Sequence, residues 1–279
     1  MKKLFCLLLL FTLSLLNISC KKENANPVAA NTDVLESFGL VQGGTFSMGS
    51  LSGDADEKPV HAVTISSFYM SKTEVSQSLW KAVMDTNPSY FTENSTNYPV
   101  EQVSWYDCIS FCNKLSLKEG KDPCYSVQNN ITPSDWKSGT VVCDFNAKGY
   151  RVPTEAEWEF AARGGIRSAN YTYSGSNNAE EVSWYAGNSY GTTQIVGTKK
   201  ANEIGLKDMT GNVWEWCWDW YGGYSSTAQS DPAGASSGTT RILRGGAWDG
   251  FVNFRNTDRV SGSPGSKSNN LGFRLVCTR

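Results

Sequence analysis

Histidine is nearly absent: one ring, His61, in 279 residues. It lies in an alternating segment and reads as a strand residue. That leaves no histidine for a Ser-His-Asp or Cys-His arrangement, and with no CxxC pair a zinc site has no support. A basic surplus is also lacking. Lys and Arg number 25 against 27 Asp and Glu, the formal charge is −2, and no basic stripe stands out, so nucleic-acid binding is unsupported. Long apolar runs are confined to one, residues 4–16, which is too short to span a bilayer. What remains is rich in aromatics (12%) and hydrophobic residues (39%), enough for one large domain with a substantial core.

The N-terminus reads as an export signal: Met1-Lys2-Lys3, the apolar run, then residues 16–20 (LNISC). Cys20 resembles a bacterial lipobox cysteine. The resemblance implies a signal peptide over 1–19, lipid attachment at Cys20 and a polar tether over 20–35. The expected location is a bacterial membrane, on the outer membrane and surface-exposed. An ordinary signal peptide with an incidental cysteine is the alternative. Export permits disulfides among Cys108, Cys112, Cys124, Cys143, Cys217 and Cys277. Cys124 and Cys143 flank a polar insertion that they could close. Cys108 and Cys112 stand i, i+4 on one helix and suit core packing.

The domain is expected over 36–279. Residues 38–48 read as two strands around Gly43-Gly44, and residues 59–70 as another, from the alternation of Val60, Ala62, Val63, Ile65, Phe68 and Met70. Thr73 is the expected cap of a helix carrying Val75, Leu79, Val83 and Met84 and ending at Asn87-Pro88. Ser104 caps a second, with Trp105, Cys108, Ile109, Cys112 and Leu115 on one face. Pro153-Thr154-Glu155 opens a third that runs to Ala162 and stops at Gly164-Gly165. Beyond it lie turns, short strands and tryptophans, an α+β pattern with much irregular structure. Trp158, Trp214, Trp216, Trp218 and Trp220 read as core and surface-shelf aromatics rather than a sugar-stacking row. Arg151, Glu155 and Glu157 suit a buried polar network at the start of the third helix.

Several motifs coincide in order: residues 41–49 (VQGGTFSMG), 72–76 (KTEVS), 99–105 (PVEQVSW), 149–159 (GYRVPTEAEWE), 208–216 (DMTGNVWEW), and a closing frame of 244–248 (RGGAW) and 271–275 (LGFRL). Together they resemble the formylglycine-generating enzyme, or sulfatase-modifying factor, family over about residues 38–279. The resemblance implies a C-type-lectin-like fold. It also implies two copper-binding cysteines downstream of the Arg-Gly-Gly frame, and these positions fall on Gly250 and Arg255. Neither side chain can supply a thiolate, so the chain is expected not to be an enzyme and to need no catalytic cofactor. A structural Ca²⁺ is a further implication, with Asp208, Gly211, Val213 and Glu215 as ligands. Two carboxylates and two carbonyls suit that ion. A capping role for Asp208 and a backbone contact for Glu215 are the alternative.

Between the two halves of the frame, residues 249–270 show no hydrophobic period, and thirteen of these 22 are Gly, Ser, Asn or Asp. The segment contains no Glu, Gln, Met or Trp, and Lys267 is its only lysine. In this it resembles the variable region, here about 244–279, of retroelement-diversified proteins such as treponemal variable lipoproteins. The residue types excluded are those that mutagenised Asn codons cannot reach. The expected ligand-binding residues are Trp248, Asp249, Gly250, Phe251, Asn253, Phe254, Asn256, Asp258, Val260, Ser261, Ser263 and Ser266. Of these, Asp249, Phe251, Asn253, Phe254, Asn256, Asp258, Ser261 and Ser263 are expected to be exposed and replaceable. Phe251 and Phe254 would be apolar anchors unless they pack in the core. Arg244, Gly245, Gly246, Gly272 and Phe273 are expected to be needed for folding, and Arg255, Thr257, Arg259 and Pro264 to hold the loop's shape. The ligand would be a protein or a glycan, and the lipid anchor would add the membrane as a partner. A non-diversified carbohydrate- or protein-binding lipoprotein is the competing reading, and an unrecognised enzyme a third.

Overall fold

The computed structural model describes residues 37–92, 97–251 and 254–279. The signal peptide, Cys20, the tether and Asn253 lie outside the described residues. The elements, in chain order, begin with β1 (Phe38–Val41), β2 (Gly44–Met48), β3 (His61–Ile65), β4 (Phe68–Ser71), α1 (Gln77–Met84) and α2 (Trp105–Lys118). Then come β5 (Tyr125–Val127), β6 (Val141–Cys143), β7 (Tyr150–Arg151), α3 (Glu155–Ala162), α4 (Ala179–Val182) and β8 (Ser183–Trp184). The C-terminal part is all strand: β9 (Thr210–Gly211), β10 (Trp214–Trp220), β11 (Gln229–Ser230), β12 (Arg241–Arg244), β13 (Arg259–Gly262), β14 (Leu271–Gly272) and β15 (Val276–Thr278).

The alternation over 59–70 spans two strands. β3 joins β2 and β11, while β4 joins β1, β15 and β7 in a different sheet. The chain changes sheets at Ser66-Ser67, where Asp231 accepts from the Ser66 N–H and hydroxyl at 2.7 Å each. The inside-outside period slips by one residue at this jump: His61, Val63 and Ile65 are buried before it, Phe68 and Met70 after it.

α1 starts later than expected. Ser76, not Thr73, caps it, accepting from the Leu79 N–H at 3.3 Å. Residue 75 is held extended by two long-range bonds: the Val75 N–H donates to the Phe273 carbonyl, and the Val75 carbonyl accepts from Val100. The helix also stops before Asn87-Pro88, because Asp85 turns left-handed at φ 63°. α2 and α3 start where expected. Their capping boxes pair Ser104 with Asp107 and Thr154 with Glu157.

All eight residues of α3 are buried, three glutamates among them. Each meets an arginine. Arg151 grips Glu157 through two bonds of 2.6 Å. Arg259 grips Glu155 at 2.8 and 2.7 Å. Glu159 faces both Arg163 and Arg244. Buried carboxylates persist only when paired in this way. Trp158 and Trp216 are fully buried, while Trp214, Trp218 and Trp220 are half-buried at the edge of the core.

Cys143 ends β6 and pairs with Tyr125, the first residue of β5, which Cys124 immediately precedes. The bridge that Cys124 and Cys143 could form is not present: all six cysteines of the described residues are free thiols. Burial pushes each of them up, Cys124 to about 12 and Cys277 to about 11. None is an activated thiolate.

Candidate ligand-binding face

The face is built on the sheet β13-β12-β10-β14, with β13 at its edge. β12 ends in Arg244, and Gly245 and Gly246 follow at φ +97° and +82°, a conformation that penalises any side chain. A Cβ on Gly246 would lie 2.1 Å from the Phe254 ring, and one on Gly250 would lie 1.9 Å from it. The glycines thus form the hollow into which Phe254 packs, with Trp214 edge-on at 5.6 Å.

Arg244 is wholly buried and ties this segment down. Its guanidinium donates to Glu159 and to the carbonyls of Asp258 and Asn256. Other contacts also grip backbone. Ala186 donates to the Gly250 carbonyl, Trp214 to Asn270, and Gln102 to Ser268; the Trp248 N–H donates to Asn212, and the Asn256 N–H to Thr172. The Trp248 indole closes the far side, donating to the Asn269 carbonyl at 3.0 Å. Because these bonds use main-chain atoms of the segment, they do not depend on most of its side chains.

The side chains divide into two groups. Asp249, Phe251, Val260, Ser261, Ser263 and Ser266 are exposed, Phe251 by 82%. Trp248 is half-buried against Phe91, ring centroids 5.2 Å apart. Gly250 is half-buried as well. Three residues depart from the expectation of exposure. Phe254 packs as described. Asn256 is buried at 3% exposure and donates to the Tyr171 carbonyl at 3.0 Å. Asp258 is half-buried and accepts from the Arg255 N–H at 2.8 Å. Burial pushes its carboxyl up to about 7. The segment also contains a strand, β13, which its composition concealed. Only Arg259 of β13 is buried, and its neighbours Val260 and Ser261 face outward.

Arg255 reaches across to the N-terminal half of the domain. Asp54, Glu57 and Asp258 bring carboxylate oxygens within 4.8 Å of one another. The Arg255 guanidinium lies among them as their counter-charge, 2.6 Å from Glu57 and 3.4 Å from Asp54. Thr257 and Arg259 are buried. Sequence reasoning missed Glu159, Glu57 and the Tyr171 and Thr172 carbonyls as supports of the face. The run of three acids on one short, wholly apolar-flanked helix was the available signal for Glu159.

Residues 208–215 carry the carboxylates expected to hold a hard cation. Asp208 is buried and its Oδ1 has no hydrogen-bond partner, nor do the two oxygens of Glu74. Burial, then the Asp208 charge, pushes the Glu74 carboxyl well up, and the Arg274 charge opposes the shift. Carboxylate oxygens are the ligand type that a hard cation takes. Glu215 is already satisfied: Arg274 donates to both its oxygens at 2.6 and 2.7 Å, and the Trp158 indole donates at 2.7 Å.

Short helices packed around small twisted sheets, with the C-terminal loop exposed on one of them, define a C-type-lectin-like protein of the formylglycine-generating-enzyme type. The chain belongs to the family described as "Sulfatase-modifying factor enzyme 1-like domain", whose profile matches residues 23–279. It is 42% identical to "Chaperone protein LppX" of Paenibacillus barcinonensis, over 82% of this chain and 85% of that one. It is 32% identical to "Serine/threonine-protein kinase pkn1" of Chlamydia pneumoniae, but spans only 40% of that protein's length. Among solved structures it is similar to "Treponema denticola variable protein 1", with TM-score 0.80 and 37% identity, covering 87% of this chain and 95% of that one.

Proposed function

We propose that this chain is a non-catalytic, lipid-anchored display protein whose C-terminal face binds ligands and is diversified between copies by a retroelement. The observation that carries the reading is the mode of support. Residues 248–251 and 254–270 are held largely through main-chain atoms, while Asp249, Phe251, Val260, Ser261, Ser263 and Ser266 stand exposed. A loop held in this way tolerates exchange of its exposed side chains. The similarity to a treponemal variable protein supports the same reading. The positions onto which the family resemblance places copper-binding cysteines carry Gly250, where Phe254 fills the space of a side chain, and Arg255, committed to ion pairs. A structural Ca²⁺ at the Asp208 and Glu74 end belongs to the proposal.

Comparison of coding sequences between copies and isolates tests it. Substitutions should concentrate in the codons of the exposed residues, beside a near-identical template repeat and a reverse-transcriptase gene, with the Arg244 and Gly246 codons fixed. Changes scattered evenly along the gene would refute diversification. The similarity to a protein called a chaperone favours a second reading, in which the same face holds polypeptides without diversification. Invariance of these codons would favour it.

A further inference from the structure

Two exposed tyrosines, Tyr90 and Tyr190, stand outside the variable segment on stretches that touch Trp248 or its backbone. Tyr90 is 67% exposed and packs edge-on against Phe91 at 5.0 Å, which in turn packs edge-on against Trp248 at 5.2 Å. Tyr190 is 89% exposed. Its loop is tied to the face by the Ser189 hydroxyl, which donates to the Trp248 carbonyl at 2.8 Å, and by the Ala186 N–H, which donates to the Gly250 carbonyl at 3.0 Å. Phe251 itself is 82% exposed.

Tyr190 is unusual in a second way. Its φ is +59°, and Gly191 follows at +76°. A left-handed backbone is costly for a bulky residue, and asparagine or glycine would fit the turn better. Strain of this kind, observed at an exposed position beside a binding face, points to function.

The composition indicates what the rings would meet. Residues 86–92 and 185–198 contain no charged side chain, and Ile195 in the second tract is 39% exposed. Aromatic enrichment with charge depletion marks the centre of a protein–protein interface.

We propose that Tyr90 and Tyr190 are fixed contact residues that extend the variable face, through two uncharged loops, into one aromatic surface for a polypeptide ligand. They would supply contact common to all copies, while the exposed residues of 249–266 set specificity. The inference rests on the reading that this face binds ligands.

The probe is a phage-displayed library of random peptides, panned against the full chain, with the enriched peptide synthesised for affinity measurement. Tyr190→Asn and Tyr90→Ser should each weaken it about tenfold or more, and so should Phe251→Ser. Tyr190→Asn should leave Tm equal to or above that of the parent, because asparagine tolerates the left-handed turn; a purely structural tyrosine would lower it. Weakening by Phe251→Ser alone overturns the tyrosine proposal and leaves the binding-face reading standing. Unchanged affinity in all three variants overturns both. Failure to enrich any peptide, or tyrosine-dependent binding to a glycan array instead, overturns the polypeptide assignment.

Discussion

Replacing Arg244 by methionine should cost far more stability than replacing four exposed residues of the face together. Arg244 is buried completely, as is its partner Glu159. Breaking a buried pair by removing one member costs about 3–5 kcal/mol. Arg163, 2.8 Å from Glu159 on its other side, offsets part of this. The Asp258 and Asn256 carbonyls, however, lose the donor that holds the segment, and a buried group left unsatisfied adds about 1–3 kcal/mol. For a domain of this size each kcal/mol is worth about 2–4 °C, so Arg244→Met should lower Tm by roughly 10 °C or more. The quadruple variant Asp249→Ser, Phe251→Ser, Ser261→Ala, Ser263→Ala removes no buried contact. Each exposed change lies within about 0.5 kcal/mol of neutral, which bounds the sum near 2 kcal/mol. Thermal melts and urea titration of the two proteins measure the difference. If the quadruple variant loses as much as Arg244→Met, the face belongs to the core and the division between support and display is wrong.

Burial, followed by the neighbouring Glu155 charge, raises Asp219 to about 8. The folded state therefore holds a proton that the unfolded chain releases near pH 4, and the associated stability, on the order of a few kcal/mol, is present at low pH and lost as pH rises through about 8. Asp219→Asn keeps the acceptor for the Glu155 N–H and should flatten that part of the Tm–pH curve; an unchanged curve would show that Asp219 is not its source. Calcium should raise Tm and chelator lower it, with Asp208→Asn abolishing the difference, whereas a melt indifferent to both would remove the cation. Supplied with copper and reductant, the chain should yield no formylglycine from sulfatase peptides, and any product would overturn the non-catalytic reading. Cys20→Ala should release the protein from the detergent phase; unaltered partitioning would discount the anchor.

Local signals were legible and long-range ones were not. The starts of α2 and α3 could be read because Ser104 with Asp107, and Thr154 with Glu157, complete their bonding within four residues. The start of α1 could not, because Val75 is held extended by Phe273 and Val100, both distant in sequence. The same contrast runs through the binding face. Its glycine- and serine-rich composition correctly marked a loop region, yet Asn256 and Ser261 look alike in sequence and end up on opposite sides of it. What separates them is a carbonyl at Tyr171 that only the folded chain brings within 3.0 Å of Asn256. Phe251 and Phe254 are the same residue three positions apart, and a hollow formed by Gly246 and Gly250 takes the Phe254 ring while Phe251 stands exposed. Composition therefore indicates which residue types a segment admits. Which of them are free to change depends on what grips the segment from elsewhere, and here much of that grip comes from Arg244 and from loops that bond to its backbone.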